Sequence, residues 1–204
     1  MHPSKIVCVG RNYAAHAKGL GNALPERPLL FFKPPSSIIA DGAPIVLPVE
    51  SRQVEHEAEI GLVIGTRIRN ADARAARAAI SALVPANDVT ARDLQKTDDQ
   101  WARAKGFDTF CPLGTPYPIA ADFDLTSLEI VGRVNSSVRQ HGKARDMVFS
   151  MPTLVAYIST IMTLEPGDVI LTGTPGGVGP LAPGDSVTIE IPGIGTVTNP
   201  VQGA

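Results

Sequence analysis

The chain has few of the features that mark several classes of protein. Its two cysteines, Cys8 and Cys111, are far apart and match no metal-ligand spacing. Free thiols are then the default state, so we predict a cytoplasmic protein. The formal net charge of −2 suggests neither a nucleic-acid partner nor an anionic membrane surface. No apolar run reaches the roughly 18 residues that a membrane-spanning helix needs, so no membrane association is expected.

Glycine and proline, in contrast, are plentiful. The 204 residues include 19 Gly and 18 Pro, which favours many turns and short strands over a helical bundle. Regular alternation of strand and helix is missing, and this argues against a doubly wound sheet. The length suits one domain with a sizeable core. We therefore predict a single catalytic domain over residues 1–204, of the α+β class and dominated by strands.

Local patterns predict the main elements. Residues 6–10 and 29–33 are short apolar runs typical of buried strands, and residues 125–134 alternate as a strand does. Asp72 and Ser150 are candidate N-caps, the first for a helix running to about Leu83 and the second for a helix with an apolar face. Near the C-terminus, a Pro-Gly turn predicts a hairpin joining residues 186–191 to residues 196–198.

The most informative stretch runs from Glu55 to Gly65, where charged and apolar residues alternate before the chain becomes wholly apolar. On a strand, Glu57 and Glu59 share one face about 7 Å apart. Asp88 follows another apolar stretch and adds a third carboxylate. Such an oxygen-rich set suits Mg²⁺, Mn²⁺ or Ca²⁺ rather than zinc. The alternative is the solvent-exposed face of an edge strand, while His56 on the opposite face is expected to be structural.

Two further segments carry candidate polar groups. If residues 88–95 form a helix, Asp88, Arg92 and Gln95 lie on one side of it, and Lys105 follows nearby. Together these side chains could donate to a developing oxyanion, although Arg92 and Lys105 could equally be solvated surface charges. The glycine-rich loop at residues 173–179 lacks the Lys-Ser/Thr of a P-loop. It could be an active-site turn that exposes the Thr174 hydroxyl, or a purely structural turn.

Six blocks in this order resemble the fumarylacetoacetate hydrolase family, in the short form of acylpyruvases and fumarylpyruvate hydrolases, and the resemblance covers nearly the whole chain. They are Val9–Tyr13, Phe32–Pro34, His56–Glu59, Asp88–Gln95, Ala104–Asp108 and Leu171–Pro175. The resemblance implies a β-rich, barrel-like roll, a homodimer and a Mg²⁺ or Mn²⁺ ion in a pocket. It also implies a 2-oxo or 2,4-dioxo carboxylic acid as the substrate, within the catabolism of aromatic compounds.

The same resemblance implies roles for individual residues. The metal ligands would be Glu57, Glu59 and Asp88. The catalytic set would be His16, which activates water from a lid at about residues 11–24, with Gln95, Lys105 and Arg92. Substrate-binding residues would be Arg11, Tyr13, Lys33 and Thr174.

The implied reaction is hydrolysis of a carbon–carbon bond in a 2,4-dioxo acid, which releases pyruvate and a second carboxylic acid. The chain departs from the family where a glutamate normally partners the lid histidine, because Gly19 stands there. Without that carboxylate His16 should be a weaker base, so hydrolysis should be slow. Decarboxylation of oxaloacetate, or tautomerisation or hydration of a 2-oxo acid, therefore remains open. A protein that binds a 2-oxo acid without turning it over is a third alternative.

Overall fold

The computed structural model describes residues 2–13 and 25–204. His16, Gly19 and most of the predicted lid lie outside these residues. The described chain is a mixed α+β fold dominated by strands, as the sequence predicts. Its strands form four separate sheets and not one closed barrel.

Strands β1 to β16 of the described residues follow one another in chain order. They are Ile6–Gly10, Leu29–Lys33, Ile38–Ile39, Ile45–Leu47, Val54–His56, Ala58–Ile64, Ile80–Asn87, Thr90–Ala91, Cys111–Pro112, Tyr117–Pro118, Glu129–Val134, Ser137–Lys143, Val169–Leu171, Gly179–Pro180, Ser186–Ile191 and Gly195–Gly203. The α-helices α1 to α4 are Ala73–Ala79, Arg92–Thr97, Ala102–Gly106 and Met151–Ile161, and short 3₁₀ helices lie at Pro35–Ser37, Leu125–Ser127 and Ala144–Asp146.

Two larger sheets build the core. The six-stranded sheet has the order β10-β7-β6-β13-β1-β2, and the five-stranded sheet has the order β12-β11-β15-β16-β4. Strand β6 is buried along its whole length, and its Ile60 and Leu62 share one apolar cluster with Ile189 and Val197 of the second sheet. Each such side chain contributes about 1.5–3 kcal/mol when fully buried, so this contact fixes the position of β6.

Most of the predicted elements are present, with two differences. The helix capped by Asp72 ends at Ala79, not near Leu83, because Ile80–Asn87 pairs along β6 as strand β7. Alanine is a strong helix former, but helix propensity is a weak predictor, and burial in the sheet overrides it here. The predicted strand at residues 125–134 begins at Glu129, after a 3₁₀ turn. The caps themselves are confirmed, since Asp72 and Ser150 accept from the amides of their helices.

One interruption positions the candidate site. Strand β5 pairs with β8 and β14 in a small three-stranded sheet, whereas β6 pairs with β7 and β13 in the large one. Glu57 is the single residue between them. Its carbonyl accepts a hydrogen bond of 2.9 Å from the amide of Asp88, just beyond the end of β7. Two carboxylates are thereby brought to one end of the large sheet.

Among residues 2–13 and 25–204, no helix is both long and apolar enough to cross a membrane.

Candidate metal centre

Three carboxylates predicted from the sequence converge in the structure. Glu57, Glu59 and Asp88 each offer an oxygen that lies within 4.8 Å of the others, and all three side chains are buried. Glu57 comes from the junction between two sheets, Glu59 from β6 and Asp88 from the turn after β7. The interpretation of an exposed edge strand is therefore wrong, because none of the three carboxylates faces bulk water.

Two buried ammonium groups lie against this cluster. Lys105 of α3 donates to Glu57 Oε2 at 2.9 Å and to Asp88 Oδ2 at 2.5 Å. Lys33 of β2 donates to Asp88 Oδ1 at 2.7 Å and to the Val89 carbonyl at 3.0 Å. Burial would lower the pKa of Lys105, but its contacts with Asp88 and Glu57 outweigh this and raise the pKa above its usual range. Lys105 therefore carries a positive charge inside the protein.

Glu59 differs from the other two carboxylates. Its Oε2 accepts from the amide of Gly173 at 2.7 Å, and no basic side chain within residues 2–13 and 25–204 forms a salt bridge with it. Burial raises the pKa of Glu59 well above its usual range, and the charges of Asp88 and Glu57 raise it further. The cluster thus contains one carboxylate that lacks a counter-charge of its own.

These residues fit a hard divalent cation. The donor set consists of carboxylate oxygens, which Mg²⁺ and Mn²⁺ prefer, and the described ligand atoms include no thiolate or imidazole. A bound cation would supply the counter-charge that Glu59 lacks. It would also share Glu57 and Asp88 with Lys105. The groups that could hold the ion are Glu57, Glu59 and Asp88.

Arg92 lies on the other side of Glu57. Its Nη2 donates to Glu57 Oε1 at 2.5 Å, its Nε to Glu55 Oε2 at 2.8 Å and its Nη1 to Gln95 Oε1 at 2.5 Å. Burial raises the pKa of Glu57, but Lys105 and then Arg92 outweigh it and hold the pKa below its usual range. The helix considered over residues 88–95, which would put Arg92 and Gln95 on one side with Asp88, does not extend back to Asp88. Asp88 precedes α2, and Arg92 contacts the glutamates instead.

A cavity of about 270 Å³ opens over the cluster. Phe31 and Trp101 form part of its wall, with ring centroids 5.2 Å apart in an edge-to-face arrangement. Its described lining residues are Val9, Gly10, Arg11, Phe31, Glu57, Glu59, Asp88, Arg92, Gln95, Lys96, Trp101, Lys105 and Thr174. The cavity thus brings together the three carboxylates, Arg92, Gln95 and Lys105, as the sequence predicts.

The remaining predicted substrate-binding residues lie in different environments. Arg11 and Thr174 line the cavity, whereas Lys33 and Tyr13 are buried and are not among its described lining residues. The Lys33 ammonium is engaged by Asp88, so it neutralises that carboxylate. The Thr174 hydroxyl is not exposed as expected, because it donates to the Ala58 carbonyl at 2.9 Å and accepts from Gln140 at 2.8 Å.

Sequence reasoning missed two residues around the site. Glu55 binds Arg92, and the same alternation that puts Glu57 and Glu59 on one face also puts Glu55 there, so a signal existed. Gln140 uses its whole carboxamide: Oε1 accepts from Ala58 N and pairs with His56 Nδ1, while Nε2 donates to Thr174 and the Pro175 carbonyl. No local pattern indicates this contact, since Gln140 comes from the second sheet. His56 is buried and lies outside the carboxylate cluster, and its structural role stays a prediction.

The family model for the fumarylacetoacetate (FAA) hydrolase C-terminal domain matches residues 5–202. The chain belongs to this family. The expectation drawn from the six sequence blocks is thereby confirmed.

Several named proteins are similar to this chain over most of its length. It is 46% identical over 203 residues to the mitochondrial oxaloacetate tautomerase FAHD1 of Arabidopsis thaliana, with 98% of this chain and 91% of the relative covered. It is 45% identical over 197 residues to the mitochondrial oxaloacetate decarboxylase of Dictyostelium discoideum, with 94% and 90% covered. The fumarylpyruvate hydrolase of Pseudomonas aeruginosa, solved with Mn²⁺ and pyruvate, has a TM-score of 0.92 at 28% identity, covering 99% of this chain and 91% of that one.

Proposed function

We propose that the protein is a divalent-metal-dependent enzyme that acts on a small 2-oxo acid, with oxaloacetate as the favoured substrate and decarboxylation or tautomerisation as the reaction. The observation that carries this proposal is the buried trio Glu57, Glu59 and Asp88 at the floor of a cavity, with Lys105 against it. Membership of a family of enzymes, and relatives named for oxaloacetate chemistry, support the proposal.

The charges of the cavity suit a dianionic substrate. Among its described lining residues are four basic side chains and three carboxylates, so the positive charges exceed the negative ones by one. A divalent cation would raise this excess to three. A dicarboxylate such as oxaloacetate would neutralise most of it, whereas a neutral or cationic ligand would not.

Decarboxylation and tautomerisation both need groups around the 2-oxo group of the substrate that stabilise negative charge. A cation held by the trio would act as a Lewis acid on a 2-oxo carboxylate. The Lys105 ammonium is fixed by two carboxylates and lies at the cavity wall, so it is ready to stabilise negative charge on a nearby substrate oxygen. Gln95 offers its amide N–H groups, because its carbonyl oxygen is already occupied by Arg92. Phe31 and Trp101 add aromatic surface to the wall of the cavity.

Hydrolysis of a 2,4-dioxo acid is the second candidate. The similarity to fumarylpyruvate hydrolase and the presence of His16 in the sequence favour it. Gly19 disfavours it, since the carboxylate that would raise the basicity of His16 is absent from that position. We propose that Gly19→Glu raises acylpyruvate hydrolysis, and no increase would mean that the missing partner is not limiting.

The deciding experiment is a substrate panel with added Mg²⁺ or Mn²⁺. Oxaloacetate and acylpyruvates are incubated with the protein, and enol–keto exchange, CO₂ and pyruvate are followed separately by NMR. Metal-dependent exchange or CO₂ release from oxaloacetate supports the first candidate, and pyruvate from an acylpyruvate supports the second. Binding of a 2-oxo acid without any product would favour a binding protein. A cytoplasmic location, a homodimer, a single domain over residues 1–204 and a lid carrying His16 remain part of the proposal.

A further inference from the structure

Arg92 holds three side chains at once. Its guanidinium donates through Nε to Glu55, through Nη2 to Glu57 and through Nη1 to Gln95. A planar guanidinium with fixed donor directions can satisfy all three only in one orientation. The arrangement therefore links a candidate metal ligand, Glu57, to a candidate oxyanion donor, Gln95.

Glu55 is the member of this group that has no place in the proposed reaction so far. It lies on β5 with 6% of its surface exposed, and it is not among the described residues that line the cavity. Its Oε2 accepts from Arg92 at 2.8 Å, and its Oε1 accepts from Gln53 Nε2 at 2.6 Å. Both oxygens are thus directed at side chains that fix them, and the carboxylate forms a salt bridge with the Arg92 guanidinium.

The contact with Arg92 also decides how the Gln95 amide is turned. A guanidinium only donates, so it must face the carbonyl oxygen of Gln95 and not its NH₂ group. Gln95 lines the cavity, and its two N–H donors are then left for an anionic group there. If Arg92 moved, no other described side-chain hydrogen bond of Gln95 would keep the amide in this orientation.

We propose that Glu55 is a positioning residue that holds Arg92 in place when a divalent cation draws on the charge of Glu57, an inference that rests on the proposed metal-dependent function. Arg92 is neutralised by two carboxylates, and a cation would compete for one of them. Glu55 is then the partner that remains. It keeps Arg92 from following Glu57 and keeps Gln95 directed at the cavity.

Glu55→Gln tests this directly. The amide can still accept from Arg92 but carries no charge, so Arg92 would be neutralised by Glu57 alone and would compete with the cation for it. Loss of a group that orients metal ligands typically costs 10–100-fold in metal affinity or activity. We expect Mn²⁺ affinity, measured by calorimetry on the purified chain without substrate, to fall about tenfold. We expect kcat on the accepted 2-oxo acid to fall more than KM rises.

The matched control is Glu190→Gln, the same substitution in a partly exposed ion pair with Arg133 on the second sheet. It should leave Mn²⁺ affinity and kcat unchanged. Glu55→Asp keeps the charge and should recover most of the affinity, and it carries the test if Glu55→Gln does not fold. In an Arg92→Lys background, which lacks the guanidinium fork, Glu55→Gln should have little further effect, because the two residues act as one unit.

The outcomes separate this inference from the function on which it rests. Mn²⁺ affinity within twofold of wild type in folded Glu55→Gln overturns the role of Glu55, whatever the enzyme does. So does an undiminished effect in the Arg92→Lys background. A wild-type chain that binds Mn²⁺ but turns over no 2-oxo acid overturns the proposed function, while the affinity measurements still decide the role of Glu55. A wild-type chain that binds no Mn²⁺ overturns both.

Discussion

The ammonium nitrogen of Lys105 lies 2.5 Å from Oδ2 of Asp88, and both side chains are withdrawn from solvent. Lys105 also reaches Glu57, so it lies between two of the three carboxylates that could hold a cation. The lysine thus has two effects that act in opposite directions on metal binding. It stabilises the buried carboxylates when no ion is bound, and it competes with an ion for their charge.

Lys105→Met should separate these effects. Removing one partner of a buried pair costs about 3–5 kcal/mol, so the metal-free variant should unfold at a lower denaturant concentration than wild type. Mn²⁺ should stabilise the variant more than it stabilises wild type, because the carboxylates lose a competitor. Turnover should fall about 100-fold or more if Lys105 stabilises an oxyanion. Thermal unfolding with and without Mn²⁺ checks the first two results.

Lys143→Met, a change in a partly exposed lysine near Glu129, is the control for Lys105→Met. It should affect neither stability nor metal response measurably. A Lys105→Met protein that responds to Mn²⁺ less than wild type does would contradict the competition between ammonium and cation.

Glu59→Gln should have the opposite effect on the metal-free protein. Glu59 is buried among like charges without a basic partner in the described chain, and glutamine can still accept the Gly173 amide. The neutral side chain removes repulsion, so the midpoint of unfolding without metal should stay the same or rise. The stabilisation by Mn²⁺ should be lost, because one of three anionic ligands is gone. Retention of the full Mn²⁺ shift would exclude Glu59 as a ligand.

Gly173→Ala should disturb the site through the backbone. Gly173 has φ of +100°, and an added Cβ would lie 2.8 Å from the Cβ of Asn12, so the turn would have to shift. The strain should cost about 1–3 kcal/mol and draw the Gly173 amide away from Glu59. Gly176→Ala lies in the same loop, has open space around its Cβ and should cost little. Urea unfolding of the two variants compares them, and equal stability would contradict the argument.

Asp168 should make stability depend on acid pH. Burial raises its pKa, but hydrogen bonds from the Glu165 amide, from Lys5 and from Ser4 outweigh this and lower the pKa. The lowered pKa means that the stabilisation is complete above the unfolded value of about 3.9 and is lost as pH falls through the folded value.

Asp168→Asn should therefore destabilise the protein by about 2–3 kcal/mol at pH 7, and the difference from wild type should shrink below about pH 4. Urea unfolding at pH 7 and at acid pH measures it. Asp122→Asn, at an exposed position, should behave as wild type at both. A difference that grows on acidification would show that the sign is wrong.

The sequence predicts much of this fold because many elements are local. Strand β1, the Ser150-capped helix and the C-terminal hairpin follow from apolar spacing and turn residues. The end of α1 at Ala79 does not, because it depends on β7 pairing with a strand that precedes the helix. The three carboxylates were predictable since their residue types and spacing suit one cation.

The partners of those carboxylates were less accessible to sequence reasoning. Lys33 is 55 residues from Asp88 along the chain, and only the packing of β2 shows that its ammonium forms an ion pair with Asp88. The same holds for the Thr174 hydroxyl, which donates a hydrogen bond to the carbonyl of Ala58, a residue distant in the sequence. Charge and hydroxyl groups can be listed from the sequence, but which of them are already engaged is a property of the tertiary fold.

Glu57 lies between two sheets, so the residues of the centre come from two different parts of the fold. Glu59 lies on β6 of the large sheet and Asp88 follows β7, whereas Glu55 lies on β5 of the small sheet and Arg92 begins α2. Glu57 is the residue that joins these two parts. Substitutions in α2 would therefore alter the side of the cavity that carries Arg92 and Gln95, while β6 keeps Glu59 in its native position.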